Sequence, residues 1–427
     1  MRRLVLLLLV APVLAQEGGE VGGQAGGAGD DAAASERLRM ARLAFDARLK
    51  LADLLRTEGK AKEALAAYAR AAAIFEASLG AAAAGQAAAG GGGQAVAFGG
   101  RGARHPAADA NAAERGLRWL AAHQDAESGG WDADGFMKHD PKEDPCDGKG
   151  AKDADLRVTA LATLAFLGAG YTDRGAAATN PYAANVRAAV AFLLAAQKDD
   201  GAFGSGSLRD DAIATVALSE AFAITRNPRY RLPAERGVAA LARQQAAGAA
   251  WKDDPSLTAW CVCAIASARG AGLAAPEGAL RDALTWAGTA TDAATGRVGK
   301  EGRTERATAA VLLTRMLCGQ GPRAAGAIPK GLALCVAKPP LWNAEEGTVD
   351  PEYWWFGTHA LWRAGGADWQ AWSGAMGAAI VNRQQAAGSR AGSWDPVGVE
   401  GGRVEATALL TLTLEPYYRY ADAMGVR

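Results

Sequence analysis

From about residue 108 onward, the chain alternates between two kinds of predicted helical segment. One kind is amphipathic, as in residues 111–123, 183–196 and 234–245, which predicts helices with one buried face. The other kind is apolar almost throughout, as in residues 159–167, and each such run begins near a threonine. A helix without a polar face must be buried on all sides. The alternation therefore predicts helix pairs, each with an outer amphipathic and an inner apolar member.

The threonines that open the apolar segments repeat at intervals of 43 to 56 residues, which is the length of a helical hairpin. There are six of them: Thr159, Thr215, Thr258, Thr308, Thr358 and Thr407. Six hairpins are enough to close a ring with the apolar helices inside. We therefore predict an all-α fold, an (α/α)6 toroid of six helical hairpins over residues 108–425.

The joints between the two helices of a hairpin share a second pattern, in which a glutamine is followed by glycine and an aromatic residue. We expect the glutamine amide to bond the carbonyls left without partners at the end of the outer helix. The pattern is fullest in the first two joints and most degraded in the fourth. It consists of Gln124 with Gly129-Gly130-Trp131, Gln197 with Gly201-Ala202-Phe203, Gln245 with Trp251, and Gln385 with Gly392-Ser393-Trp394.

These joints resemble the QW motif of squalene and other triterpene cyclases, which is also found in degenerate form in the β subunits of protein prenyltransferases. The resemblance covers about three-quarters of the chain. The arrangement is also similar to that of planctomycete-type exported proteins with squalene-cyclase repeats. In this family the joint residues are structural, so the resemblance implies the fold and no activity by itself.

The segment before the repeats has its own organisation. Residues 1–15 predict a secretory signal peptide, because a basic start precedes an apolar run too short to span a membrane. Residues 16–33 and 80–106 are rich in glycine and alanine and predict linkers. Residues 34–79 have the spacing of a TPR-like helical hairpin, with a plain amphipathic hairpin as the alternative. A single repeat cannot bury its own apolar face, so we expect it to dock on the main domain, another copy or a protein partner.

The composition limits the classes of binding partner that we expect. Lys and Arg number 46, as do Asp and Glu, so there is no electrostatic reason to expect nucleic acid or an anionic membrane as a partner. The five cysteines are odd in number, and Cys261, Cys263 and Cys318 lie in predicted apolar helices. We predict buried thiols and no disulfide framework. The expected protein is exported and has no membrane span after signal cleavage.

The catalytic motifs that the resemblance suggests are incomplete. Class II terpene cyclases carry a DxDD motif, and residues 208–211 and 153–156 each lack one of its aspartates. Prenyltransferases hold zinc through Asp, Cys and His. Here only Asp144, Cys146 and His139, in an insertion at residues 132–154, offer those types, away from the family's positions. The thioester of complement-type rings needs a different spacing from that of Cys318 and Gln320. We therefore predict no metal and no cofactor, and we leave open whether the protein is an enzyme.

Parallel inner helices would bring their N-terminal ends, with their dipoles, to one mouth of the ring, where a ligand is expected. The alternative is helix capping for the aspartates and core packing for the aromatic residues. We predict a non-catalytic binding or scaffold protein. An enzyme of terpenoid-cyclase or carbohydrate-active type, acting on an isoprenoid or a carbohydrate at this mouth, is the alternative. The candidate residues are Asp155, Asp211, Asp254, Thr304, Tyr353, Trp354, His359 and Arg403.

Overall fold

A computed structural model describes residues 107–416, except 175–179, 246–249, 300–304, 323 and 325. The predicted signal peptide, both linkers and the TPR-like hairpin lie outside the described residues, and so does Thr304. The chain divides into two units, residues 1–95 and 96–427, and the described residues all belong to the second.

The described residues form twelve α-helices, two short 3-10 helices at Phe136–His139 and Gly388–Arg390, and no β-strand. This confirms the all-α prediction. The helices are α1 (Ala107–Ala122), α2 (Asp155–Gly168), α3 (Ala183–Ala196), α4 (Leu208–Thr225), α5 (Pro228–Arg243), α6 (Pro255–Gly270), α7 (Glu277–Ala290), α8 (Glu305–Leu317), α9 (Ala327–Ala337), α10 (Pro351–Ala364), α11 (Gly366–Val381) and α12 (Gly402–Thr413).

The even-numbered helices form a closed inner ring. Each packs against the next even-numbered helix, and α12 packs against α2, which completes the circle. The odd-numbered helices pack on the outside, and α1 contacts both α11 and α12 where the two ends of the repeat meet. The predicted toroid of six helical hairpins is confirmed.

Burial follows the two sequence patterns. In α2, every residue from Leu156 to Gly168 is buried, as the apolar run requires. In the outer helix α5, the buried residues recur every three or four positions, for example Tyr230, Ala234 and Leu241. The six threonines that open the inner segments are at most 2% exposed.

Four of the six threonine hydroxyls bond the backbone of their own joint. Each accepts a hydrogen bond from the backbone N–H of the residue at the aromatic position of the joint pattern, which is a valine in the fourth joint. These bonds join Trp131 to Thr159 (2.9 Å), Trp251 to Thr258 (3.3 Å), Val298 to Thr308 (3.1 Å) and Trp394 to Thr407 (3.4 Å).

The tryptophans of the joints, and not the glutamines, bond the carbonyls at the ends of the outer helices. The indole Nε1 donates to the carbonyl at 2.8 Å in each case, from Trp131 to Leu120, from Trp251 to Leu241 and from Trp394 to Ile380. This corrects the role expected for glutamine. A tryptophan can pack its ring in the core and still satisfy an orphan carbonyl with its N–H.

The glutamines join neighbouring hairpins instead. Gln124 Nε2 donates to the carbonyl of Gly129 in its own joint (2.7 Å) and to that of Asn185 in the next outer helix, α3 (3.0 Å). Gln197 and Gln245 reach α5 and α7 in the same way.

In the sixth joint this position belongs to Gln384, which corrects the assignment of Gln385. Gln384 Nε2 donates to the carbonyls of Gly392 and Ala112, both at 2.8 Å. Ala112 lies in the first outer helix, so this side chain connects the two ends of the ring. Gln385 donates to Asp395 instead (3.1 Å).

Candidate functional site

Charged side chains from the first turns of the inner helices meet at the predicted mouth. We call Arg157, Arg209, Arg306, Glu352 and Glu405 the mouth network. Arg209 Nη2 lies 2.8 Å from Glu352 Oε1, and Arg306 Nη1 lies 3.1 Å from Glu352 Oε2. Arg157 Nε lies 3.2 Å from Glu405 Oε2. Helices α4 and α10 stand on opposite sides of the ring, so the ion pair of Arg209 with Glu352 crosses its axis.

Further partners surround this network. Asp210 pairs with Arg157 (3.3 Å), Asp350 pairs with Arg306 (2.8 Å), and the Trp260 indole donates to Glu352 (2.8 Å). Burial raises the pKa of the Glu405 carboxyl, while the Arg157 and Arg209 guanidinium groups act in the opposite direction. Each buried carboxylate of the network therefore has a cation within ion-pair distance.

Aromatic rings occupy the next layer towards the ring interior. Trp260 and Trp355 stack with their centroids 4.3 Å apart, and Phe356 contacts both rings. All three are at most 2% exposed. Protein side chains thus occupy the axis at the mouth, where a ligand was expected.

Open space lies to one side of the axis. A cavity of about 920 Å³ is bounded by the N-terminal end of α8, the loop between α9 and α10, and helix α11. We call it the fifth-joint cavity. Tyr353, Trp354 and Trp342 form its aromatic wall, and Arg306 and Asn382 contribute polar groups. The volume lies within the range of about 300–1,000 Å³ that is usual for small-molecule sites.

Of the eight predicted site residues, Tyr353 and Trp354 line this cavity. Tyr353 is buried, its hydroxyl donates to the carbonyl of Lys338 (2.7 Å), and burial raises its pKa well above the ordinary value. The Trp354 ring lies 5.9 Å from that of Trp342. Their places on α10 confirm neither a binding role nor core packing alone, since both residues pack in the core and also border open space.

The three predicted aspartates have local roles. Asp254 is the N-cap of α6 and accepts from the backbone N–H of Leu257 (3.0 Å), as the capping alternative expects. Asp155 instead accepts from the backbone N–H of Ala133 in the first joint (2.8 Å). Asp211 lies in the first turn of α4, where burial raises the pKa of its carboxyl to about 6.

The remaining candidates lie apart from the cavity. His359 is fully buried six residues beyond Tyr353 along α10, with its ring 4.7 Å from that of Trp355. Arg403 lies at the sixth joint, where it pairs with Asp147 of the 132–154 insertion and with Asp395 (2.9 Å). Thr304 is not among the described residues.

The mouth network was not predicted from the sequence, although the sequence contains a signal for it. Every inner segment carries a charged residue two or six positions before its threonine. In five segments this residue belongs to the mouth network, and in the third it is Lys252, which precedes α6. Positions that differ by four lie on one helix face. Charges that recur on one face of otherwise apolar helices indicate a shared polar layer inside the ring.

The residues around Cys146 in the insertion differ from those predicted from the sequence. Cys146 lies with His123 and Asp140, and their potential metal-ligand atoms are all within 4.8 Å of one another. His139 is exposed. Asp144 accepts from the backbone N–H of Ser389 (2.8 Å).

Within the described ranges, none of the helices combines the length and the apolar run that a membrane crossing requires. The thiols of Cys261 and Cys263 are buried, as predicted, whereas that of Cys318 is half-buried.

Comparison with known proteins adds a similarity of fold. No family model and no curated protein matches the chain. Among solved structures, the apo form of the type II terpene cyclase MstE from Scytonema is similar over 74% of this chain and 98% of that chain, with 14% sequence identity and a TM-score of 0.48. A similarity at this level carries no functional argument. The fold and the site together define a helical toroid. Side chains fill the axis of this toroid at the mouth, and a cavity lies beside the axis.

Proposed function

We propose that this protein is a non-catalytic binding module and that its ligand occupies the fifth-joint cavity. The observation that supports this most directly is the ion pair of Arg209 and Glu352, which crosses the ring axis at 2.8 Å. The axis is occupied at the mouth, whereas a lateral cavity of about 920 Å³ lies open among the described residues. An axial reaction chamber of the terpene-cyclase kind would need this network to open.

The ion pairs of the carboxyl groups also favour binding over catalysis. A general acid or base must reach the reacting atoms of a substrate, but the carboxylates of the mouth network are buried and already bonded to guanidinium groups. Glu352 has two such partners, Arg209 and Arg306, within 3.1 Å. Asp211 has a pKa of about 6, but it lies beside the second joint, where it interacts with the backbone of Phe203. This placement separates Asp211 from the cavity.

The lining of the cavity favours a neutral ligand with flat apolar faces and polar edges. The positive and negative residues that line it are equal in number. They are Lys338, Arg306 and Arg383, and Glu305, Glu346 and Asp350. Trp342 is half-buried and offers an aromatic surface on which the C–H faces of a sugar ring pack, while the buried Trp354 (1% exposed) supports the Trp342 ring from behind. The proposed ligand is therefore a neutral oligosaccharide. An isoprenoid would use the aromatic wall and leave the polar groups without partners.

The cellular location of the protein and its contact with a protein partner are proposed from the sequence. With the signal peptide predicted at residues 1–15, the module would work outside the cytoplasm, where polysaccharides are accessible. The TPR-like hairpin at residues 34–79 would bind a protein partner and so connect the sugar-binding toroid to it.

The test uses three variants of the full chain. Trp342→Ala removes an aromatic face from the cavity, and Leu341→Ser changes its rim. Leu232→Ser is the matched control, because Leu232 is 53% exposed and Leu341 is 56% exposed, but Leu232 lies on outer helix α5. Calorimetric titration with a panel of neutral oligosaccharides measures binding, and product analysis of the same mixtures measures turnover.

We expect the wild type and Leu232→Ser to bind the same oligosaccharide equally. Loss of one stacked ring, about 0.5–1.5 kcal/mol beyond its buried area, should weaken binding by Trp342→Ala roughly tenfold. Equal binding by all variants would remove the cavity from consideration. Binding of farnesol and of no oligosaccharide would assign the cavity to isoprenoids, and hydrolysis of any oligosaccharide would overturn the non-catalytic assignment.

A further inference from the structure

Three side chains with different ligand atoms converge where the insertion meets the first outer helix. His123 follows α1 directly, Asp140 follows the Phe136–His139 3-10 helix, and Cys146 lies later in the insertion. His123 and Cys146 are each 5% exposed, and the Asp140 side chain is 2% exposed. Their ligand atoms lie within 4.8 Å of one another.

The hydrogen-bond partners of His123 indicate that a cation lies between its ring and the Asp140 carboxylate. Its Nδ1 lies 2.7 Å from the carbonyl oxygen of Trp119, which can only accept, so Nδ1 carries a hydrogen. Its Nε2 lies 2.8 Å from Asp140 Oδ1. In a neutral imidazole with hydrogen on Nδ1, Nε2 and the carboxylate oxygen would face each other with lone pairs. Either a proton or a metal ion must lie between them.

We propose that His123, Asp140 and Cys146 bind a zinc ion. Thiolate, imidazole and carboxylate are the three ligand types that zinc takes in proteins, and thiolate together with imidazole selects against magnesium and calcium. With zinc–ligand bonds of about 2.0–2.3 Å, the ligand atoms of a tetrahedral site lie about 3.3–3.7 Å apart. The pair of His123 and Asp140 needs to open by roughly half an ångström from its 2.8 Å separation. Water supplies the fourth ligand.

The surroundings already hold these ligands in position. The Nδ1–H of His123 donates to the Trp119 carbonyl, which points Nε2 at Asp140, and the His123 ring stacks on Trp119 with centroids 4.0 Å apart. Asp140 uses Oδ2 to accept from the backbone N–H of Cys146 (2.8 Å), which leaves Oδ1 facing His123. Such outer hydrogen bonds fix the tautomer and orientation of zinc ligands.

The position of the cluster indicates what the ion would do. The insertion forms backbone hydrogen bonds to the sixth hairpin, from Ala151 to Glu400 and from Arg403 to Gly148, each at 2.8 Å. It therefore connects the last hairpin with the first. A zinc ion bound by His123 and by two residues of the insertion would fix the insertion to the end of α1, and so hold in place the segment that bonds the sixth hairpin. Three protein ligands and a water are more usual in catalytic zinc sites, but these ligand side chains are at most 5% exposed, so a substrate cannot approach the ion and its role here is structural.

Metal analysis of the purified full-length protein tests the proposal. The protein is equilibrated with zinc chloride, passed through gel filtration, and its zinc content is measured by plasma mass spectrometry. We expect stoichiometric zinc in the wild type and a loss of at least tenfold in Cys146→Ser. Cys318→Ser, which changes a free thiol elsewhere in the toroid, is the matched control and should retain zinc. Equal zinc content in the wild type and Cys146→Ser would overturn the site.

A second measurement covers the case in which Cys146→Ser does not fold. The wild type, stripped with a chelator, is loaded with cobalt(II), whose bond to a thiolate gives a charge-transfer absorption band in the near ultraviolet. We expect this band in the wild type and in Cys318→Ser, and a rise in Tm on addition of zinc. Absence of the band from the wild type would show that a proton, and no metal, joins His123 and Asp140.

Discussion

The side chain of Gln384 offers the most direct test of how the ring closes. Its amide donates to the carbonyls of Gly392 and Ala112, both at 2.8 Å, and its Oε1 accepts from Arg115 (2.7 Å). Gln384→Ala removes all three bonds. The two amide bonds each contribute about 0.5–1.5 kcal/mol, and the exposed bond to Arg115 contributes little. We expect the variant to lose about 1–3 kcal/mol of unfolding free energy.

The neighbouring Gln385 is the matched control, because it has the same chemistry one position away. Its amide makes one bond, to the half-exposed Asp395 (3.1 Å). Gln385→Ala should therefore cost about 1 kcal/mol or less. Urea unfolding followed by circular dichroism and by tryptophan fluorescence measures both variants, and coincidence of the two probes checks that one transition is observed. A greater loss for Gln385→Ala than for Gln384→Ala would refute this account of the seam.

Two further predictions concern charge. Arg209→Leu leaves the buried Glu352 without one of its two cations. Since the Arg209 side chain is 29% exposed, we expect the free energy of unfolding in urea to fall by about 2–3 kcal/mol, compared with about 0.5 kcal/mol or less for the exposed Arg231→Leu. Equal losses in the two variants would contradict a buried network. Burial raises the pKa of Asp211 from 3.8 to about 6, so the stabilising neutral carboxyl is present below about pH 4 and is lost as the pH rises through 6. Asp211→Asn should therefore gain about 1–3 kcal/mol relative to the wild type between pH 4 and pH 7, whereas a difference that stays constant over this range would contradict the raised pKa.

The twelve helices, and their division into inner and outer helices, could be predicted because the burial of a helix follows from the local pattern of its apolar residues. The run from Leu156 to Gly168 has no polar face, so it had to be buried on all sides. The joint pattern was also recognisable, but the choice between Gln384 and Gln385 was not. Two adjacent glutamines have the same composition and differ only in which one faces α1.

The candidate site was less predictable than the fold. The convergence of helix ends predicts a ligand on the axis, and two of the predicted residues, Tyr353 and Trp354, do border a cavity. The occupation of the axis by Arg209 and Glu352 could not be predicted, because these residues are distant in sequence and meet only across the closed ring. His139 was predicted as the partner of Cys146 because it is near in the chain, whereas folding brings His123 there.

The sequence alone determined which segments are helices, which of them are buried and how many hairpins close the ring, because the free energy of burying an apolar face depends on the residues of that face. Only the tertiary structure decided which charged groups face one another, which of two histidines stands beside Cys146, and where open space remains. Those features depend on side chains from different hairpins, whose distances are fixed when the last hairpin packs against the first.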